Sequence, residues 1–320
     1  MFKVIYNGEK EKATGKGVFG ACIKKMAQED PKFCYLDADL MNSIGTSGLE
    51  VEFPNQVFDC GIQEANMVGV AAGMSAAGMK PIVHTFGVFA SRRVFDQAFM
   101  SVAYAQNNVV IVGSDAGINA AYNGGTHMPF SDICLYRAIP NATVIDITDS
   151  AMLGSILPGL KERKGLTYVR MGRKNCVSVY SEDSTFEIGK ANVVRDGKDA
   201  VIIAAGLMVA NALDAANKLA AEGIDVAVVD MFTIKPLDEA VVLEYAKKTG
   251  AVVTAENGNV VGGLGAAVAE LLGEKLPTPI KMIGVQDRFG QVGTVDFLAK
   301  EYNLTSDDLV KAVKETVARK

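Results

Sequence analysis

The fold is decided by residues 59–97, DCGIQEANMVGVAAGMSAAGMKPIVHTFGVFASRRVFDQ. After the end of a strand, the segment 63–79 has the pattern of a helix, and PIVHTF at 81–86 is typical of a buried strand. One carboxylate, Glu64, lies near the N-terminus of this helix. Small residues allow the helix to approach another backbone closely; they are Gly69, Ala72, Gly73 and Ala76. The stretch therefore predicts a strand–helix–strand unit of a parallel sheet.

The rest of the chain repeats this alternation of short apolar runs with longer helical segments. Further strands are predicted at 33–39, 108–114, 142–147, 166–171, 200–206, 226–231, 250–256 and 279–285. Further helices are predicted at 91–106, 150–163, 207–222, 237–249, 262–273 and 305–319. Between the two series, the polar segment 176–196 lacks a helical period and is interpreted as a connection. The pattern predicts two tandem parallel-sheet α/β domains, at residues 1–180 and 190–320.

Composition and charge exclude several classes of function. The 320 residues are 49% hydrophobic and 22% charged, which is usual for a soluble globular protein. Their net charge is −5 and no basic run occurs, so we expect no nucleic-acid partner. No stretch approaches the ~18 apolar residues of a membrane helix, and no apolar leader is evident at the N-terminus. We therefore expect a cytoplasmic protein with no membrane partner.

The five cysteines give no sign of a disulfide framework or a zinc site. They are scattered, odd in number and without C-x-x-C spacing: Cys22, Cys34, Cys60, Cys134 and Cys176. This usage fits a reducing cytosol.

Glu64 by itself could simply complement the dipole of its helix. The order of the motifs around it is more informative. It resembles the pyrimidine-binding domain of transketolase, in which G-[IV]-x-E precedes a small-residue helix and then T-F-x-x-F. The matching residues are Gly61, Glu64, Thr85, Phe86 and Phe89.

This resemblance implies thiamine diphosphate as cofactor. Glu64 would form a hydrogen bond with the pyrimidine nitrogen opposite the exocyclic amino group and so set the tautomer of the ring. Phe86 and Phe89 would stack on and enclose the pyrimidine, because flat apolar faces suit an aromatic base. An F-x-x-F pair alone is most often core packing, and only its place after Glu64 favours a cofactor site.

A second constellation, at 114–145, resembles the transketolase loop G-x-D-G-P-T-H-Q-P and the following helix that ends in L-R-x-[IT]-P-N. The matches are Gly124, Thr126, His127, Pro129, Arg137, Pro140 and Asn141. In the family this histidine faces the oxygens of the bound ketose, so the resemblance implies that His127 is catalytic; a neutral imidazole can shuttle protons near neutral pH. His84 is the one other histidine of the sequence, and it could be a core residue or a neighbour of the site.

Three further residues are implied to lie around cofactor and substrate. The segment YVRMGRKN at 168–175 resembles the family's L-x-R-x-N strand, in which Arg173 would meet the terminal phosphate of the sugar; an ordinary surface arginine is the alternative. The segment LDADLMNS at 36–43 resembles S-A-D-L-T-x-S. That match would place Asp39 near the cofactor and Ser43 near the sugar phosphate.

The second half also resembles transketolase, through AENGNVVGGLGAAVAE at 255–270 and IGVQDRFGQVG at 283–293. The G-G-L-G run at 262–265 is not a dinucleotide loop, because Val268 stands where G-x-G-x-x-G needs its last glycine. We expect a tight turn with close helix packing there. The resemblance implies that this domain helps to shape a dimer.

The motif that holds the diphosphate of the cofactor is missing. In the family G-D-G…N binds it through a divalent metal, and the chain contains no Gly-Asp-Gly. The resemblance therefore implies a partner, an N-terminal transketolase subunit that carries this motif and the Mg²⁺ or Ca²⁺ ion. Two such pairs would form an α2β2 assembly with sites at the interface.

Several positions that would face the substrate depart from the family. Asn123 stands where an aspartate recognises hydroxyl stereochemistry, and Asp115 stands where a histidine contacts phosphate. The arginine of the first helix is replaced by Gly15 or Lys16. Because a carboxylate would repel a phosphate, we expect a non-standard anionic ketose.

The predicted function is transfer of a two-carbon ketol unit from a ketose to an aldose. Three alternatives remain: the β subunit of a 2-oxo acid dehydrogenase decarboxylase component, a 1-deoxyxylulose-5-phosphate synthase-like activity, and a non-catalytic partner of the same fold. Arg93, in R-V-F-D-Q, resembles the R-A-Y-D-Q of the synthases and is a further candidate for substrate binding. The T-H-x-P loop and the R-K-N strand favour transketolase.

Overall fold

Two mostly parallel sheets with helices packed against them form the molecule. The computed structural model describes residues 1–174 and 176–320. The seven-stranded sheet has the order β10-β5-β6-β4-β3-β1-β2 and the five-stranded sheet the order β12-β11-β8-β9-β7. The strands are β1 (Phe33–Asp37), β2 (Val57–Asp59), β3 (Lys80–Phe86), β4 (Val109–Ser114), β5 (Thr143–Asp146), β6 (Leu166–Met171), β7 (Asn192–Arg195), β8 (Ala200–Ala204), β9 (Val226–Asp230), β10 (Thr233–Lys235), β11 (Val252–Asn259) and β12 (Ile280–Val285).

The helices follow the strands in the order that a parallel sheet requires. They are α1 (Gly15–Glu29), α2 (Met41–Ile44), α3 (Leu49–Glu52), α4 (Glu64–Ala76), α5 (Asp132–Ala138), α6 (Ser150–Leu160), α7 (Met208–Ala221), α8 (Glu239–Thr249), α9 (Leu264–Lys275), α10 (Val295–Glu301) and α11 (Ser306–Val317). The central strands β1, β4, β5, β6, β8 and β9 are buried at every residue, which explains their continuous apolar runs. The predicted fold class, two α/β domains, is confirmed.

Two edge strands run antiparallel and escaped the sequence pattern. β7 lies inside 176–196, which was expected to be only a connection, and it pairs with β9. β10 pairs with β5, so a strand from the second half of the chain completes the sheet of the first half. Both are short, of four and three residues, and such segments carry too little periodicity to be recognised. The division at 1–180 and 190–320 stays a prediction.

The segment after β3 was predicted as one helix at 91–106 and instead forms two π-helical stretches. They span Phe89–Arg93 and Gln97–Tyr104. A π-helix rotates successive side chains differently from an α-helix, and such turns often occur at functional sites. Here the first stretch carries two of the candidate residues, Phe89 and Arg93.

Within residues 1–174 and 176–320, no helix is long and apolar enough to cross a membrane. The same residues contain no group of three or more His, Cys, Asp or Glu side chains placed to hold a metal ion.

Candidate active site at the carboxyl ends of the first sheet

Four neighbouring strands end at the same edge of the first sheet, and each leads into a candidate residue. β1 precedes Asp39, β3 ends at Phe86, β4 precedes Asp115 and β6 precedes Arg173. In open parallel sheets, ligands bind in the crevice outside the carboxyl ends of the strands. Three non-glycine residues of this edge have positive φ: Asp39 (61°), Asp115 (62°) and Ala121 (47°). Such strained backbone is typical of functional sites.

Glu64 is the first residue of α4 and its side chain is buried, with 2% of the residue exposed. One carboxylate oxygen, Oε1, accepts a hydrogen bond of 2.6 Å from Nη1 of Arg93. The other oxygen, Oε2, is buried without a hydrogen-bond partner. Leaving a charged acceptor buried and unpaired is costly, so the arrangement fits a ligand that supplies a polar hydrogen at this atom.

Phe86, Phe89 and His127 form an aromatic group, which Arg93 links to Glu64. The ring centroids of Phe86 and Phe89 are 6.4 Å apart, and His127 lies edge-on to both, at 6.1 and 5.4 Å. The guanidinium of Arg93 covers Phe89 at 4.2 Å from the ring centroid. Arg93 therefore joins the carboxylate of Glu64 to the aromatic group. Its side chain is 46% exposed, and its contact with substrate stays a prediction. His127 is partly exposed, and its Nδ1 lies 2.9 Å from Oγ1 of the preceding Thr126.

Arg173 and Asp115 form a two-pronged ion pair at the ends of adjacent strands. Nε donates to Oδ1 at 2.7 Å and Nη2 donates to Oδ2 at 2.6 Å. Nη1 donates to the backbone oxygen of Ser43 at 3.2 Å, and the guanidinium lies 4.9 Å from the centroid of Phe86. The structure thus brings Ser43, Asp115 and Arg173 together, and their contact with substrate stays a prediction. It differs from the sequence-based expectation in one respect, because the carboxylate of Asp115 is held by the arginine.

Two candidates lie apart from these contacts. Asp39 is exposed and its backbone N–H donates to Oδ1 of Asp59 at 3.0 Å. Asn123 is exposed at the end of the 3-10 helix Gly117–Asn123. In the described part of the chain, neither side chain forms a hydrogen bond to another candidate residue.

His84 is a core residue, which decides between the two interpretations that the sequence left open. It is fully buried, with Nδ1 2.8 Å from Oδ2 of Asp37 and Nε2 2.9 Å from Oγ of Ser114. The hydroxyl of Tyr35 donates to the same Asp37 oxygen at 2.6 Å. This network joins β1, β3 and β4 just before Asp39, Phe86 and Asp115, so it fixes the relative position of the strand ends.

Asn257, from the second half of the chain, holds the loop after Asp115, and the sequence patterns did not predict this role. Its Oδ1 accepts from the backbone N–H of Ile118 and its Nδ2 donates to the backbone oxygen of Ala116, both at 3.0 Å. The backbone N–H of Asn259 donates to the oxygen of Phe130 at 2.9 Å, on the far side of His127. The loop that carries His127 is therefore held at both ends by β11.

A fully buried arginine, Arg170, reinforces this junction. Nη2 donates to the backbone oxygens of Pro129 and Asn257, at 2.9 and 2.5 Å. Nε and Nη1 donate to Asp132 and Asp146, at 2.8 and 3.1 Å. Burial raises the pKa of Asp146 to about 6, although the positive charge of Arg170 opposes this rise. The cation is thus balanced by two carboxylates where the two halves meet.

Glu256 explains the glycine run at 262–265. Its two oxygens accept from the backbone N–H groups of Leu264 and Gly265, at 2.9 and 2.8 Å, at the start of α9. Burial raises the pKa of this carboxyl to about 7, against the lowering effect of the two hydrogen bonds. A Cβ on Gly263 would lie 1.9 Å from Oε2 of Glu256, so the close packing requires glycine. The expected tight turn with close helix packing is confirmed.

The fold and this site define a protein of two α/β domains with a buried carboxylate and an aromatic enclosure at a strand edge. Residues 11–178 match the family described as transketolase, pyrimidine binding domain, and residues 189–309 match transketolase, C-terminal domain. The chain belongs to the transketolase family and corresponds to the C-terminal part of a split transketolase. Membership in this family implies dependence on thiamine diphosphate.

Three relatives illustrate the similarity. The 6-deoxy-6-sulfo-D-fructose transketolase subunit SqwH of Clostridium sp. (strain MSTE9) is 48% identical over 93% of this chain and 92% of its own length. A putative transketolase C-terminal section of Methanocaldococcus jannaschii is 38% identical, over 94% and 95%. A solved structure described as a split gene transketolase, inactive beta4 tetramer, superposes with a TM-score of 0.88 at 42% identity, and covers 95% of this chain and 98% of that one.

Proposed function

We propose that this chain is the catalytic C-terminal subunit of a two-component transketolase, which transfers a two-carbon ketol unit from a ketose to an aldose. The observation that carries the proposal is the buried Oε2 of Glu64, which has no hydrogen-bond partner among the described residues, while Oε1 accepts from the arginine that covers Phe89. A surface helix cap would not need to be buried in this way. An unpaired carboxylate oxygen linked in this way to a group of aromatic rings suits the edge of a heterocyclic base.

The residues of this site fit thiamine diphosphate. Glu64 would hold a hydrogen at the pyrimidine nitrogen, and Phe86 and Phe89 would enclose the ring; Asp39, on the adjoining loop, is a further candidate for contact with the cofactor. When bound, the cofactor supplies the electron sink for cleavage of the carbon–carbon bond next to the ketose carbonyl. His127, partly exposed beside both rings, would orient the sugar and accept or return the proton of a hydroxyl group.

A partner subunit would complete the site. The chain has no Gly-Asp-Gly motif, and its described residues include no cluster suited to a metal ion. We therefore propose an N-terminal transketolase subunit that carries G-D-G…N and holds Mg²⁺ or Ca²⁺, in an α2β2 assembly. The description of one relative as a subunit and of the solved tetramer of β chains as inactive supports this proposal.

The proposed donor is a ketose with an anionic end. Arg173 and Ser43 would lie at that end, with Asp115 and Asn123 as the positions that differ from the family pattern. The relative of Clostridium is described as acting on 6-deoxy-6-sulfo-D-fructose, whose anionic group is a sulfonate. A sulfonated ketose is therefore a donor to test first, beside phosphorylated ones.

The test is a reconstitution. The tagged chain is purified from its source cells, the protein that accompanies it is identified by mass, and the complex is assayed for ketol transfer with and without thiamine diphosphate. Glu64→Gln, which keeps the shape of the side chain, is expected to lower turnover at least ~100-fold, since the group acts on the cofactor itself. Glu182→Gln, an exposed carboxylate of the linker, is the matched control and should leave turnover unchanged.

The outcomes separate the alternatives. Near-normal ketol transfer by Glu64→Gln, with cofactor bound, would refute the assignment of the site. A complex that decarboxylates 2-oxo acids and transfers no ketol group would be a dehydrogenase component, and one that condenses pyruvate with a triose phosphate would be synthase-like. A chain that is isolated alone and does not bind the cofactor would be the non-catalytic protein.

A further inference from the structure

The ion pair of Arg173 and Asp115 restricts what the sugar end of the site can bind. All three guanidinium nitrogens already have acceptors, two of them on Asp115 and the third on the backbone of Ser43. Considering the contacts of residues 1–174 and 176–320 alone, one N–H on each of Nη1 and Nη2 remains for a ligand. The edge of the guanidinium formed by Nε and Nη2, which could bind an anion through two parallel hydrogen bonds, is therefore already occupied by Asp115.

The pair lies next to the candidate catalytic group. The guanidinium is 4.9 Å from the centroid of Phe86, and the same ring is 6.1 Å from the ring of His127. The side chain of Arg173 is 18% exposed and that of Asp115 only 3%. A ligand would therefore contact the exposed side of Arg173. The buried carboxylate of Asp115 would repel an anionic ligand electrostatically from the other side of the guanidinium.

The carboxylate of Asp115 offsets part of the positive charge that Arg173 presents to a bound anion. A phosphate ester carries a charge of about −2 at neutral pH. Removing water from it costs about four times as much as for a monoanion, because this cost grows with the square of the charge, whereas its attraction to the partly offset arginine grows only in proportion to the charge. The pair by itself carries no net charge, so it offers a ligand hydrogen-bond donors and only part of the attraction of a single cation.

The geometry points to a preference for a single negative charge. Resting on the proposed function, we infer that the subsite of Arg173 and Asp115 accepts a ketose with a monoanionic terminus, such as a sulfonate, and discriminates against a phosphate dianion. Asp115 is the residue that determines this specificity. The remaining N–H groups of Arg173 donate hydrogen bonds to the terminus.

The experiment compares two ketoses of the same length on the same complex of this chain with its N-terminal partner. The kcat/KM for 6-deoxy-6-sulfofructose is divided by that for fructose 6-phosphate, with one aldose acceptor. The wild-type ratio is expected to exceed one. Asp115→Asn keeps the shape of the side chain and removes its charge, so it should shift the ratio toward phosphate by roughly tenfold or more. Because each ratio is measured on one variant, a general loss of activity cancels.

Two further variants complete the test. Asp115→His, which replaces the negative charge by a group that can be positive, should shift the ratio in the same direction and serves if Asp115→Asn folds poorly. Asp183→Asn, an exposed aspartate in the linker, removes the same charge and should leave the ratio unchanged.

The inference is overturned if the wild-type complex uses the phosphate as well as the sulfonate. It is also overturned if the active Asp115 variants keep the wild-type ratio. A complex that transfers ketol groups from neither ketose, nor from any other, would instead refute the proposed function, and this inference with it. If Asp183→Asn shifts the ratio of the two kcat/KM values as much as Asp115→Asn does, the shift reflects the net charge of the chain, and Asp115 does not determine the specificity.

Discussion

Replacing Asn257 by alanine should detach the loop of residues 116–130 from the second half of the chain. The amide forms two hydrogen bonds of 3.0 Å to the backbone of Ala116 and Ile118, and the residue is 2% exposed. A buried group that loses its partner costs ~1–3 kcal/mol. One such group, the backbone N–H of Ile118, is left unpaired in the variant, because the Ala116 oxygen still accepts from the backbone N–H of Asn119 at 3.0 Å. Together with the loss of the second hydrogen bond, which is worth ~1 kcal/mol, we expect the free energy of unfolding to fall by about 2–4 kcal/mol.

The assay needs neither partner nor substrate. Urea unfolding of the isolated chain gives the free energy, and amide hydrogen exchange gives its distribution along the chain. Exchange should increase most at residues 116–130, which include His127. Asn217→Ala is the matched control, because its carboxamide accepts a hydrogen bond of 2.8 Å from Arg195 at the exposed surface and should contribute less than ~0.5 kcal/mol. Unchanged exchange at 116–130 would show that Asn257 does not hold the loop.

The remaining predictions concern proton transfer, pH and charge. His127→Ala, assayed in the reconstituted complex, should lower kcat by ~10²–10⁴ with an unchanged melting temperature; an unchanged kcat would remove its catalytic role. Burial raises the pKa of Asp230 to about 7 in the folded chain, so its contribution to stability is complete below the unfolded pKa near 4 and is lost as pH rises through 7. Asp230→Asn cannot ionise, and urea unfolding between pH 4 and 7 should show a smaller decline than in the wild type; an equal decline would contradict the assigned pKa. Finally, acidification from about pH 7.5 to about pH 5.5 protonates a sugar phosphate, whose pKa is about 6, and should raise kcat/KM for the phosphorylated ketose relative to the sulfonated one; a constant ratio would contradict the charge argument.

The parts of the fold that sequence could predict are those with local causes. The buried strands β4 and β6 are continuous β-branched and apolar runs, and their predicted bounds agree with the structure to within one residue. Glu64 begins α4 and the Phe86–Phe89 pair lies in one enclosure, because neighbours along the chain remain neighbours in space. β7 and β10 were missed since an edge strand of three or four residues is stabilised by its partner strand and has little pattern of its own.

The contacts that tune the site could not be predicted, because they join distant parts of the chain. Asp115 and Arg173 are 58 positions apart, and each alone suggested a different role: one a repulsive carboxylate, the other an open anion receptor. Arg93 was proposed for substrate through a motif, and its contact with Glu64, which links the first π-helical stretch to α4, was not foreseen. Asn257 lies in the segment 255–270 that resembles the family's second domain, but that resemblance did not indicate that it holds the loop after Asp115. The sequence indicated which residues would lie at the site, but it did not indicate which charged side chains would form pairs there.

Strand β10 limits how this chain can be divided or recombined. Its pairing with β5 means that a fragment ending near residue 180 would expose an unpaired sheet edge, and such edges promote aggregation. A chimera that exchanges only the second half with that of a relative would also replace the outermost strand of the first sheet. New specificities would therefore be obtained most readily by substitutions on the loops. A chimera would also need a relative whose strand at the position of residues 233–235 can pair with β5.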